Sequence, residues 1–240
     1  MDDMIEKNSP ALYLIPTPLG ENCAHTIPAY VTDIILGLDC FIVEHAKTAR
    51  HQLKVMAPTI ELPSLTLFEL NEHERENALD GFLACIKTGK SVGLLSDAGC
   101  PGVADPGATV VELAHKRGIN VRPLVGPSSI LLAIMASGMN GQSFAFHGYL
   151  DAKTQGLATD LKRVESLAKK YQQTQVFIET PYRNKNVFLS ALVQLQGNTK
   201  LGIAMDLTTE SQFVAVKTIA EWKKSAVPDL HKRPVVFSIL

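Results

Sequence analysis

The 240-residue sequence contains no apolar run near the roughly 20 residues a membrane helix needs; the longest obvious one extends only from Ile130 to Ala136. Its opening, MDDMIEKNSP, is acidic and carries no hydrophobic segment, so no secretory signal is expected. Cysteine is scarce: Cys23, Cys40, Cys85 and Cys100 are widely spaced and form no CxxC pair, which argues against a disulfide framework or a cysteine zinc site. The seven histidines show no HExxH spacing, and no metal is expected. No GxGxxG opens a helix after the first strand, which disfavours a Rossmann site. TGKS at 88–91 is no P-loop, because Ala84 stands where glycine is required and the segment precedes a strand instead of following one. A cytoplasmic globular protein without membrane attachment is the expectation.

A hydrophobic content of 46% suits a chain with a sizeable core, in one large domain or two small ones. The net charge is −1, but the halves differ: residues 1–126 carry 10 Lys and Arg against 16 Asp and Glu, and residues 127–240 carry 13 against 8. The second half is therefore the better place for an anionic partner. Strand-like ALYLI, CFIVE, SVGLLS and INVRPLV alternate with helical segments at 27–38, 78–89 and 108–117, which implies βα units and a mostly parallel sheet. Thr26 is the expected N-cap of the first helix, and Asn71 with Glu74 resembles a capping box. A domain boundary is placed near Gly126, giving domains 1–126 and 127–240. Ser128 or Ser129 caps the helix that follows, and later strands succeed one another without helices, so the second sheet is expected to be mixed.

Three Gly- and Pro-rich segments fall at strand ends: PTPLG (16–20), SDAGCPGVADPG (96–107) and GPSS (126–129). Ligands of open α/β sheets bind at such ends. These loops offer free backbone groups to a polar small molecule, and Asp97 can accept from ribose hydroxyls, so a nucleotide-like cofactor fits. Cys100, inside the second loop, is the cysteine best placed for a site.

LYLIPTPLG, the SDAGCPGVADPG block, VRPLVGPSS, ASG at 136–138, FHGYL and IETPYR, in that order, resemble the landmarks of the tetrapyrrole methylase family. The similarity is strongest to its branch of ribosomal RNA small-subunit cytidine 2'-O-methyltransferases and runs from about Leu12 to Ile239. The resemblance implies a two-domain α/β fold that binds S-adenosylmethionine in a cleft between the domains and forms a homodimer. It also implies cofactor contacts at Pro18, Ser96, Asp97, Ala98, Gly99, Pro101, Ser128, Ser129, Glu179, Pro181 and Leu207.

Two segments depart from that branch. Where it has an EDTR-like stretch the chain reads EHAKTAR, with Glu44 kept, His45 for Asp and Lys47 for Arg. Where it has RELTK the chain reads MDLTT, with Met205 for Arg, Asp206 for Glu and Thr209 for Lys. Arg presents a planar fork to phosphate that neither Met nor Lys reproduces. Methyl transfer to a ribose 2'-hydroxyl needs in-line positioning and a base. Glu44 and Lys47 are the catalytic candidates, with Glu179 and Asp206 also at strand ends; Lys47 qualifies only if desolvated or beside other cations. An RNA acceptor draws on Lys153, Lys162, Arg163, Lys169, Lys170 and Arg183 for phosphate contacts. The alternatives are methylation of a tetrapyrrole or other anionic small molecule, and a non-catalytic module that binds S-adenosylmethionine or RNA.

Overall fold

A computed structural model describes residues 9–70 and 75–240. The chain divides into two compact units, one ending at Pro127 and the other beginning at Ser128. The proposed Asn71–Glu74 capping box lies outside the described residues.

The first unit runs β1 (Ala11–Ile15), α1 (Ala29–Leu36), β2 (Cys40–Val43), α2 (Ala46–Met56), β3 (Thr66–Glu69), α3 (Arg75–Lys87), β4 (Val92–Leu95), α4 (Ala108–Lys116) and β5 (Asn120–Pro123). The strands form one parallel sheet in the order β3-β2-β4-β1-β5. The three central strands, β2, β4 and β1, are apolar on both faces because both are covered. Ile15, Phe41, Val43 and Leu95 pack with residues of α1 and α2, whereas Leu12, Ile42, Val92 and Leu94 pack with α3 and α4. α2 and β3 are additions to the pattern read from the sequence. α2 has no capping side chain at its N-terminus; Glu69 at the end of β3 accepts from the Ala46 N–H at 2.6 Å instead. The α1 cap is corrected as well. Pro28 is the N-cap, with ψ 143°, and the Thr26 hydroxyl donates to the Cys23 carbonyl at 2.7 Å within a short 3-10 turn.

The second unit comprises α5 (Ser129–Ser137), β6 (Phe144–Tyr149), α6 (Thr154–Tyr171), β7 (Thr174–Ile178), α7 (Asn184–Gln194), β8 (Lys200–Met205), β9 (Phe213–Thr218), α8 (Ile219–Trp222) and β10 (Val235–Ile239). Its sheet has the order β6-β7-β10-β8-β9, with β6 and β7 parallel and the remaining pairs antiparallel. The mixed character follows from β8, β9 and β10, which lie in sequence with only the short α8 among them. α6 and α7 bury Leu157, Leu161, Phe188 and Ala191 on one face of this sheet, against Phe177, Ile203 and Phe237.

Candidate functional site

In the first unit β4 lies between β2 and β1, and the register puts Val43, Leu95 and Ile15 side by side. The residues that leave these strands, Glu44, Ser96 and Pro16, therefore emerge together at the carboxyl end of the sheet, where the strand order reverses. The Ser96–Pro101 loop is fastened there from several sides. Thr17 and Gly99 form a two-bond antiparallel bridge, with Thr17 N–H to Gly99 O at 2.9 Å and Gly99 N–H to Thr17 O at 3.1 Å. The buried hydroxyls of Thr17 and Ser96 donate to Ser96 O and Gly99 O. Gly99 has φ +80°, a conformation open to glycine at no steric cost. Further along, one carboxylate oxygen of Asp105 accepts from both Gly102 and Gly107 N–H at 2.7 Å, so this Asp ties the loop to the start of α4. Burial pushes the Asp105 carboxyl above its ordinary value, against the pull of those two bonds. The Cys100 thiol donates to Pro127 O at 3.5 Å and belongs to the same framework.

The candidate Glu44, the departure residue His45 and Gln52 meet at Asp97. Its N–H donates to Glu44 Oε1 at 3.0 Å, its carboxylate bonds His45 Nδ1 at 2.8 Å, and its carbonyl accepts from Gln52 Nε2 at 3.4 Å. The hydrogen bond and charge of Asp97 raise His45 above its ordinary 6.5, favouring the imidazolium. Burial raises the Glu44 carboxyl above its ordinary 4.5, with the Asp97 N–H pulling the other way. Lys47 is not part of this group: it stands exposed on the first turn of α2. Pro18, Asp97 and Ala98, together with Leu19, Gln52 and Val55, border a cavity of about 680 Å³ within this unit. That is the size of small-molecule sites, about 300–1,000 Å³. The departure at His45 thus contributes a partner for Asp97 where the related branch has a second acid.

In the second unit β10 runs antiparallel to both its neighbours, so the ends of β7 and β8 and the start of β10 share one edge. Glu179 leaves β7 there. One oxygen accepts from Thr180 N–H at 2.7 Å and the other pairs with Arg183 Nη1 at 3.1 Å, with the carboxylate side chain 2% exposed. Arg183 also donates to the carbonyls of Asp151 and Ala152, so its guanidinium helps to shape this loop. Pro181 O accepts from Lys232 N–H at 3.1 Å. Leu207 is buried in the β8–β9 turn, flanked by Asp206 and Thr208 at φ +48° and +75°. Ser128 is the N-cap of α5, its hydroxyl accepting from Leu131 N–H at 3.4 Å, and Ser129 is the first helical residue.

One residue of this edge escaped sequence reasoning. Arg233 places Nε and Nη2 on Asp206 Oδ2 at 2.6 and 2.5 Å, and Ser211 Oγ donates to the same oxygen at 2.9 Å. The guanidinium that Met205 lacks therefore reaches Asp206 from the other end of the unit, while Met205 itself is core. The signal was HKRP at 231–234, basic residues directly before an apolar strand.

The family model for Tetrapyrrole (Corrin/Porphyrin) Methylases matches residues 11–223. A curated relative, the ribosomal RNA small subunit methyltransferase I of Bacillus subtilis (strain 168), is 33% identical over 210 residues, which cover 88% of this chain and 68% of that protein. Among solved structures, the methyltransferase CobJ has a TM-score of 0.63 at 18% identity, covering 96% of this chain and 94% of its own. Uroporphyrin-III C-methyltransferase from Thermus thermophilus, complexed with S-adenosyl homocysteine, has a TM-score of 0.55 at 15% identity, covering 95% and 96%.

Proposed function

Because the chain belongs to the tetrapyrrole methylase family of S-adenosylmethionine-dependent methyltransferases, we propose that its acceptor is small-subunit ribosomal RNA, methylated at a ribose 2'-hydroxyl. The observation that carries this reading is 33% identity over 88% of the chain to a protein named for that substrate. The structures named for other methyl acceptors share the fold at 18% identity or less.

The first unit fits the cofactor. A partly exposed carboxylate at Asp97 suits ribose hydroxyls, the wall at Pro18, Leu19 and Val55 suits an apolar body, and the positive φ of Gly99 holds the loop in shape. Bound S-adenosylmethionine supplies an electrophilic methyl group. Pro18, Ser96, Asp97, Ala98, Gly99 and Pro101 are the residues proposed to hold it in this unit, where the bridge between Gly99 and Thr17 fastens their loop. Of the other candidates, Ser128, Ser129, Pro181 and Leu207 offer backbone or apolar contacts, whereas Glu179 acts by fixing its loop through Arg183. Glu44 is proposed to take the proton of the acceptor hydroxyl, since burial raises its carboxyl toward the range useful to a base. Among the cations proposed for RNA, Lys162, Lys169 and Lys170 are exposed on α6 and Lys153 just precedes it. A cytoplasmic location and a homodimer are part of the same reading.

Calorimetric titration with S-adenosylmethionine and S-adenosylhomocysteine, against ATP and NAD, is expected to show saturable binding of the first two alone. Transfer assays then follow labelled methyl into small-subunit ribosomal RNA, with uroporphyrin III as the competing acceptor. Incorporation into the tetrapyrrole alone would replace the RNA reading, and cofactor binding without any transfer would favour a non-catalytic module.

A further inference from the structure

Two segments at the shared edge of the second sheet are stitched together by one backbone bond and one side-chain bond. Lys232 N–H donates to Pro181 O at 3.1 Å, and Asn184 Nδ2 donates to Arg233 O at 2.7 Å. Their anchors are buried or partly so: Asn184 is inaccessible, Glu179 holds Arg183, and Asp206 holds Arg233. What this frame presents outward is different in kind. Tyr182 is 72% exposed, and its ring meets the exposed His231 ring edge-to-face, with centroids 6.5 Å apart and planes at 74°. Next to it Lys232 is exposed and held at φ +59°, a left-handed conformation costly for a residue with a Cβ. The exposed face of the Tyr182 ring is open to stacking by a flat ligand.

We propose that Tyr182, His231 and Lys232 form a contact for single-stranded RNA, in which Tyr182 stacks a base and Lys232 meets the adjacent phosphate. This rests on the RNA reading above and adds where the acceptor strand is gripped. An exposed ring with a cation at its side is the combination single-stranded nucleic acid uses, because every base has a face to stack and every nucleotide a charge to neutralise. A protein partner would instead call for a broader apolar surround, whereas beside these rings in sequence stand Arg183, Lys185 and Lys232, together with Asp229, whose carboxylate accepts from the His231 N–H at 3.3 Å. The excess of basic over acidic residues in 127–240 favours the same sign of ligand.

The test is fluorescence anisotropy with a labelled single-stranded oligonucleotide of about 16 nucleotides from small-subunit ribosomal RNA, at several salt concentrations. Tyr182→Ala is expected to weaken binding roughly tenfold and Tyr182→Phe to leave it near the parent value. Lys232→Met is expected to reduce the slope of log affinity against log salt by about 0.7. Each variant is also titrated with S-adenosylmethionine. Unchanged RNA affinity in Tyr182→Ala overturns the contact while leaving the acceptor reading standing. An equal loss of cofactor binding overturns it too, because the ring would then be shaping the pocket. Absence of RNA binding by the unaltered protein, with cofactor binding intact, overturns contact and acceptor together.

Discussion

Gly99→Val is expected to abolish S-adenosylmethionine binding and to lower the melting temperature by several degrees. At φ +80° a β-branched residue costs about 1–2 kcal/mol or more, and its Cβ would stand 3.2 Å from Leu19 Cδ2 and 3.8 Å from Pro127 O. Relief requires rotating the two peptides that flank Gly99, each of which makes one bond to Thr17, so the bridge between the β1 and β4 loops is lost along with the shape of the pocket wall. The loop cannot simply accept the side chain with the fold untouched. Gly118→Val separates the two effects: it has φ +65° with nothing within 4 Å of the added Cβ, so it imposes comparable backbone strain away from the site. Calorimetry should find cofactor binding retained there and lost in Gly99→Val. If Gly99→Val binds the cofactor like the parent protein, the pocket is not built on this loop.

Glu44→Gln is expected to keep the fold and the cofactor affinity while reducing methyl transfer by about 10²- to 10⁴-fold. The amide oxygen of Gln can still accept from the Asp97 N–H, now bonded at 3.0 Å, so the loop keeps its anchor. Only the proton acceptor is removed. The sign of the pH dependence follows from burial, which raises this carboxyl above 4.5: the base is the ionised form, so the parent rate climbs as pH rises through the raised value. That limb should be missing from the variant. Full activity in Glu44→Gln, or an unaltered acid limb, would remove Glu44 from the chemistry and leave it as an anchor for Asp97 alone.

The strand-end loops and their glycines could be read from sequence because their chemistry is local. Positive φ needs glycine, Pro removes a donor, and a strand followed by such a cluster exposes backbone wherever the chain goes next. α2 was harder to read, because its start lacks a capping side chain. Its buried Ala49, Leu53 and Met56 mark an apolar face in a segment otherwise rich in charge, and its first N–H is satisfied by Glu69 from another strand. Lys47 could be placed next to Glu44 in sequence, yet the helix turns it into solvent while bringing His45 to Asp97.

By itself, then, the sequence determined the alternation of strands and helices apart from α2 and β3, the parallel and mixed sheets, the family, and the loops that carry the cofactor candidates. Each of these follows from neighbours within a few residues, through periodicity, turn chemistry or a motif. Tertiary structure alone decided which side chains meet. Glu44 and His45 reach Asp97 because β4 is inserted between β2 and β1, and Arg233 reaches Asp206 because β10 runs antiparallel beside β8. Those contacts join residues 53 and 27 positions apart. Nothing in local composition specifies such pairings, because they are set by which strands exclude water from each other.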